Sequence, residues 1–215
     1  MEKYLSIITN FGCHYTCPYC IVKNNDIKVP KTTVEGLKNL ENCCNKNDID
    51  VVSISGGGDP LYQWRKHTDW WSEMLRLVDT NRKVEIHTSY IDYDFVNKYL
   101  ISGDRIVYHL NSVEQLSKIK RVRKEIIRIV FVITDDMIER DLYTISEFVK
   151  NSSSIDELSF RQRVDKDYQL SYHLHDVLTK RHKKDWYYIT QGDYNLYYVE
   201  GKTYTQYKDL QTQEV

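Results

Sequence analysis

The chain of 215 residues is predicted to be an α/β protein built on a parallel sheet. Three observations predict it. Short apolar segments rich in Ile, Val and Leu alternate with segments of helical periodicity, giving six strand patterns between residues 3 and 164. The strand patterns are joined by helices rather than by hairpin turns, which favours parallel pairing. No composition shift or linker divides the chain, so one domain over 1–215 is expected, with a core over about 3–164 and an extension over about 165–215. Apolar residues make up 41% and charged residues 28%, an ordinary globular balance, and the length suits one sizeable core.

The elements follow in order. Residues 3–9 read as the first strand, ending at Asn10, and a cysteine-rich loop comes at once. A helix is expected over 32–45, where Val34, Leu37, Leu40 and Cys44 recur at helical spacing. A second strand over 49–55 runs into Gly56-Gly57-Gly58-Asp59-Pro60. The next helix carries Trp70, Trp71, Met74, Leu75, Leu77 and Val78. Strands over 83–88, 105–110, 125–133 and 155–164 then alternate with helices over 92–101, 113–119 and 136–150. The rhythm breaks after that. A helix over 171–180 and Tyr-rich strands over 186–190 and 195–200 are expected, with Gly201-Lys202 as a hairpin turn.

Alternate strand positions carry a second signal. Ser53 and Ser55, Glu85, His87 and Ser89, His109 and Asn111, Arg128 and Thr134, and Ser159, Arg161 and Arg163 fall in one phase, while the opposite phase is mainly apolar. A strand covered on both faces by helices would be apolar throughout. The pattern therefore predicts apolar residues against the helices and polar residues lining an interior, with a site at the C-terminal strand ends.

Charge narrows the partners. A net charge of −1 supplies no basic footprint for a long polyanion. The run Lys118, Lys120, Arg121, Arg123 and Lys124 reads as a solvated helix end. No apolar run reaches the ~18 residues of a membrane span, and the first residues lack the build of a signal peptide, so a cytoplasmic protein is expected. There, clustered cysteines point to metal or catalysis rather than disulfides.

Three of the five cysteines, Cys13, Cys17 and Cys20, fall within eight residues in a C-x3-C-x2-C spacing. Such thiolates can hold one soft metal centre and leave one iron of a four-iron cluster without a protein ligand. The competing reading is a structural zinc site made of Cys13, His14, Cys17 and Cys20. Cys43 and Cys44 are adjacent on a helical pattern and read as core. His173 and His175, two apart, diverge on a helix and do not form a metal pair.

The triad at the end of a first strand, followed by Gly57-Gly58-Asp59-Pro60 at the end of a second, resembles the radical S-adenosylmethionine (radical SAM) superfamily over about 3–164. The resemblance implies a partial (β/α)6 barrel, here with a Tyr-rich C-terminal hairpin extension. It implies a 4Fe-4S cluster on Cys13, Cys17 and Cys20, whose fourth iron binds the amino and carboxylate groups of SAM. Reductive cleavage then yields a 5′-deoxyadenosyl radical that abstracts hydrogen from a substrate. Tyr19 holds the position that packs near adenine. Gly57, Gly58 and Asp59 match a motif that usually reads Gly-Gly-Glu-Pro, with Asp in place of Glu. His87, Thr88, Ser89, Asn111, Ser112 and Val132 lie at strand ends that often meet SAM.

For the substrate, Arg161 and Arg163 suit an anionic group, with ion pairs to Asp165 or Asp167 as the structural alternative. Asn10 and Tyr62 are further candidates. Trp64, Trp186, Tyr187, Tyr188, Tyr194, Tyr197 and Tyr198 offer aromatic faces for a base. The absence of further clustered cysteines and the small size favour a small, nucleoside-like substrate. The expected activity is a queuine lyase of queuosine salvage, acting anaerobically on queuosine or its 5′-phosphate. A 7-deazapurine ring-contracting synthase and a glycyl-radical-enzyme activase are the alternatives. An electron donor such as flavodoxin or ferredoxin is the expected partner.

Overall fold

The computed structural model describes residues 2–78, 81–190 and 196–212. Nine strands form one sheet in the order β7-β6-β5-β4-β3-β2-β1-β8-β9. They are β1 Tyr4–Ile8, β2 Val51–Ser55, β3 Lys83–Thr88, β4 Arg105–Leu110, β5 Ile126–Ile133, β6 Glu157–Gln162, β7 Tyr187–Ile189, β8 Leu196–Val199 and β9 Lys202–Tyr204. The first six lie side by side in chain order and pair in parallel. The helices are α1 Ile21–Asn24, α2 Leu40–Lys46, α3 Thr68–Leu77, α4 Tyr93–Tyr99, α5 Glu139–Lys150 and α6 His175–Lys180. The sheet is open, as in a partial barrel. Among the described residues no helix is long and apolar enough to cross a membrane.

The expected six-strand core gains strands at both edges. β7 extends the β6 edge in parallel, and β8 extends the β1 edge in parallel. β8 and β9 form the antiparallel hairpin, closed by Glu200 and Gly201 at φ 47° and 79°. Two left-handed residues make the turn that matches the twist of a hairpin.

Three helix expectations are corrected. The 32–45 segment is a 3-10 turn over Glu35–Asn39 leading into α2, and Val34 is exposed. At Gly36 a Cβ would lie 2.5 Å from Glu200, so the backbone here is set against the hairpin turn. The 113–119 segment is also 3-10, over Val113–Lys118. The 171–180 helix begins only at His175, because Tyr172 and Leu174 both sit at φ 56° and cannot join a right-handed helix.

The two strand faces separate as their phases predict. Leu5, Ile7, Val52, Ile54, Ile86, Ile106, Ile129 and Phe160 pack with Leu40, Trp71, Met74, Phe95, Leu142 and Ile145 of the helices in one core. The other face carries Ser6, Ser53, Glu85 and Arg105 in one lateral row. There, Arg105 contacts Glu85 at 2.6 Å and Glu157 at 3.2 Å, while Arg128 contacts Glu157 at 2.6 Å and Glu85 at 3.8 Å. The buried Glu85 and the half-buried Glu157 thus face two guanidiniums, the arrangement that offsets the desolvation of Glu85. Cys43 and Cys44 are buried in the core, as expected.

Candidate active site

Two loops at the C-terminal rim are locked together. The loop after β1 carries the cysteines, and the loop after β2 carries the glycines. A Cβ on Gly58 would stand 2.1 Å from the Gly12 carbonyl oxygen, and that oxygen accepts the Asp59 N–H at 2.7 Å. Gly57, at φ +75°, lies with its Cα against the Asn10 side chain, where a Cβ would come within 2.7 Å of Asn10 Cβ. The glycines are therefore required first by the close approach of two backbones. Asp59 extends the lock to β3. Its carboxylate accepts the Leu61 N–H at 2.9 Å, the Thr88 hydroxyl at 2.7 Å and the Ser89 N–H at 2.7 Å. Burial pushes this carboxyl above its ordinary range, against the pull of those three donors.

The triad cysteines are free thiols, half-buried, and all three line one cavity. Cys20 caps α1, its Sγ accepting the Lys23 N–H at 3.5 Å, and its own N–H is donated to the Cys17 carbonyl at 3.0 Å. Lys23 Nζ and Asn24 Nδ2 fasten the loop through the Tyr15 and Pro18 carbonyls, each at 2.6 Å. Burial raises the Cys17 thiol, and the nearby Cys13 and Cys20 add to the rise. Three soft donors held close together in a half-buried loop fit a cluster that takes one thiolate per iron. Among the described residues no three His, Cys, Asp or Glu side chains are grouped to hold a single ion. His14 turns from the thiols, its Nε2 lying 3.3 Å from the Leu61 carbonyl oxygen and its ring stacked on Tyr90 at 4.2 Å, so it is not a fourth ligand.

The cavity has a volume of about 310 Å³, at the lower end of the ~300–1,000 Å³ of small-molecule pockets. The cysteines and Tyr19 form one wall and the glycine turn another. His87, Ser89, His109 and Val132 come from the strand ends, and Arg161 and Arg163 lie beyond them. The Tyr19 hydroxyl donates to Asn111 Oδ1, and burial followed by the neighbouring thiols raises its pKa.

Not every expected site residue reaches this space. Asn111 touches it only through Tyr19, and the Ser112 backbone N–H is donated to Gln115. Thr88 does line the cavity, although its hydroxyl is spent on Asp59. Asn10 donates to the Val29 carbonyl, and Tyr62 packs on Gly12 and His14; neither lines the cavity. Arg163 pairs with Asp135 at 2.8 Å, rather than with Asp165 or Asp167. Trp64, Trp186 and Tyr198 are core residues, Tyr187 lies under Arg128, Tyr188 meets His175, and Tyr194 falls outside the described residues. His173 and His175 diverge as expected, toward Met137 and Tyr188.

Other lining residues were not carried into the expected site. His109 was visible in the period-two phase of β4. Tyr168 and Tyr207 carry no local signal that aims them inward, whereas Tyr197, one of the expected aromatic faces, does line the cavity. Tyr207 packs edge-on to Tyr197 at 5.5 Å, and its hydroxyl accepts the Gly57 N–H. Burial raises its pKa strongly. The C-terminal extension thereby braces the glycine turn.

An open parallel sheet with a thiol triad and a glycine turn at its C-terminal rim defines an α/β enzyme class built around a bound cofactor. The family model described as the radical SAM superfamily matches residues 7–149, and the chain belongs to that superfamily. Membership implies a 4Fe-4S cluster and SAM. The crystal structure of Streptococcus suis SuiB bound to S-adenosylmethionine is similar, with a TM-score of 0.55 at 18% identity. The match covers 89% of this chain and 48% of that one, so this chain spans about half the length of SuiB. At that identity the likeness concerns the fold. No curated protein matches.

Proposed function

We propose that the chain is a radical SAM lyase acting on a small anionic nucleoside, with queuosine or its 5′-phosphate as substrate and queuine as product. In this reading Cys13, Cys17 and Cys20 hold the cluster. Tyr19, Gly57, Gly58, Ser89 and Val132 shape the SAM side, and Asp59, Thr88 and Asn111 hold that side in place. When bound, cluster and SAM would supply the radical chemistry that removes a hydrogen atom from the ribose. Arg161 and Arg163 face the same cavity and receive the phosphate. Guanidinium forks suit a phosphate, and Arg163 exchanges an exposed partner, Asp135, for it. Tyr197 and Tyr207 offer ring surface for the base. The chain works as one unit with its C-terminal extension, in a reducing compartment, and receives its electron from a flavodoxin or ferredoxin.

The observation that carries the reading is that the thiol triad lines one cavity with Arg161 of β6 and Arg163 just beyond its end. The test is anaerobic incubation with SAM, dithionite and queuosine 5′-phosphate. Release of queuine is expected. Formation of 5′-deoxyadenosine without queuine would remove the lyase assignment and leave the radical chemistry standing.

A further inference from the structure

On the inner face of the sheet, β3 and β4 place Glu85, His87 and His109 in a file. His87 Nε2 lies 2.7 Å from Glu85 Oε1, and His87 Nδ1 lies 2.9 Å from His109 Nε2. The closed end is anchored where Arg105 meets Glu85 at 2.6 Å. The open end, His109, lines the cavity beside His87 and Arg161.

Hydrogen-bond polarity orders this file. Burial disfavours the Glu85 charge, but His87, Arg128 and Arg105 together outweigh it and hold the carboxyl down at about 2. An ionised carboxylate only accepts, so His87 Nε2 carries a proton. A neutral His87 then accepts at Nδ1, His109 Nε2 must donate, and His109 Nδ1 is left with a lone pair. Burial, with the Arg161 charge beside it, keeps His109 below its ordinary pKa. The charged and titratable groups facing this file are Tyr4 from β1, Arg105 from β4, Arg128 from β5, and Glu157 and Arg161 from β6. Arg161 lies on the His109 side and Glu85 on the His87 side, so a proton entering the file is driven inward.

We propose that Glu85, His87 and His109 form a proton relay that ends at His109 Nδ1 and takes a proton from the substrate during turnover. The inference rests on the reading of this cavity as a radical enzyme's active site. Loss of a hydrogen atom from a carbon bearing a hydroxyl makes that hydroxyl more acidic. Its O–H bond breaks with the electron pair left on oxygen, and the proton joins His109 Nδ1. The His109 Nε2 proton passes to His87 Nδ1, and the positive charge rests on His87 against Glu85. No oxidant or reductant enters this step. His109 is the catalytic residue, while His87 and Glu85 are positioning residues.

The test is ¹⁵N–¹H spectroscopy of histidine-labelled, anaerobically reconstituted protein with SAM, with His87→Gln and His109→Gln supplying assignments. At neutral pH His109 is expected as the neutral Nε2–H form. On acidification one proton shifts both rings with a shared midpoint, and Glu85→Gln weakens that proton's binding about tenfold or more. A proton on His109 Nδ1 at neutral pH, or two rings titrating independently, would overturn the relay. Formation of 5′-deoxyadenosine by the same wild-type sample is read separately. Its absence would count against the radical reading, and the spectra would still decide the relay.

Discussion

Replacing Gly58 with Ala tests whether the two rim loops must touch for the site to exist. Gly58 is not in the left-handed region, so alanine suits its backbone and space alone decides. The added Cβ would stand 2.1 Å from the Gly12 carbonyl oxygen and 2.9 Å from the Gly12 carbonyl carbon. Moving the 2.1 Å contact out to an ordinary 3.4 Å requires a displacement of about 1.3 Å between two backbones. That displacement stretches the 2.7 Å bond from Asp59 N–H to the Gly12 oxygen beyond hydrogen-bonding range. The lost bond costs ~0.5–1.5 kcal/mol and the overpacking ~1–3 kcal/mol, a total of about 2–4 kcal/mol. Gly12 adjoins Cys13, so the displacement reaches the thiol triad directly. The assay is iron and sulfide content per chain after anaerobic reconstitution, read beside urea unfolding. Gly58→Ala is expected to lose cluster loading several-fold while remaining folded. Gly103→Ala is the control. There a Cβ meets nothing within 4 Å, but φ is +96°, so stability falls by ~1–2 kcal/mol and loading is kept. Full loading in Gly58→Ala would refute the reasoning.

Glu85 is held at about 2 against an ordinary 4.5, so its charge stabilises the fold fully above 4.5 and loses that effect as pH falls toward 2. The gap corresponds to roughly 3 kcal/mol, and Glu85→Gln is expected to unfold at lower urea above pH 5 by an amount of that order and to flatten the acid limb. Tyr207→Phe removes the acceptor of the Gly57 N–H, which costs about 1 kcal/mol and is expected to weaken SAM binding about fivefold by calorimetry. Cys44→Ala is expected to lower stability by ~1 kcal/mol through lost packing while iron content is unchanged, because Cys44 is wholly buried away from the rim. Arg163→Ala is expected to raise KM for a phosphorylated substrate with little change in kcat, measured by steady-state assay.

The parts of the fold that sequence disclosed are those decided locally. Residues 83–88 and 105–110 are strands to the residue, since Val84, Ile86, Ile106 and Tyr108 recur at every second position between turn-forming neighbours. The polar phase of the strands was legible for the same reason. Which charges meet was not. The quartet of Glu85, Arg105, Arg128 and Glu157 depends on the register of four strands, which period two alone does not specify. The helix near 171–180 was read too long because left-handed backbone at Tyr172 and Leu174, neither of them Gly or Asn, has no compositional warning. At the site, the cysteine spacing and the glycine turn were legible, but the first task of the glycines was not. Gly58 answers to Gly12, 46 positions earlier, and only the folded approach of the two loops shows it. Tyr207 is likewise brought to Gly57 by a C-terminal segment whose anchor, Leu210, is buried in a small second core with Ile8, Val29, Tyr197 and Val199.

The central claim is that Cys13, Cys17 and Cys20 carry a cluster at which SAM is cleaved. The most direct measurement is 5′-deoxyadenosine formation from SAM and dithionite by the anaerobically reconstituted protein, beside the three single Cys→Ala variants. The account predicts a brown, iron- and sulfide-loaded wild-type protein that forms 5′-deoxyadenosine, and its loss in each of Cys13→Ala, Cys17→Ala and Cys20→Ala. A colourless, zinc-loaded wild-type protein that forms none would contradict it.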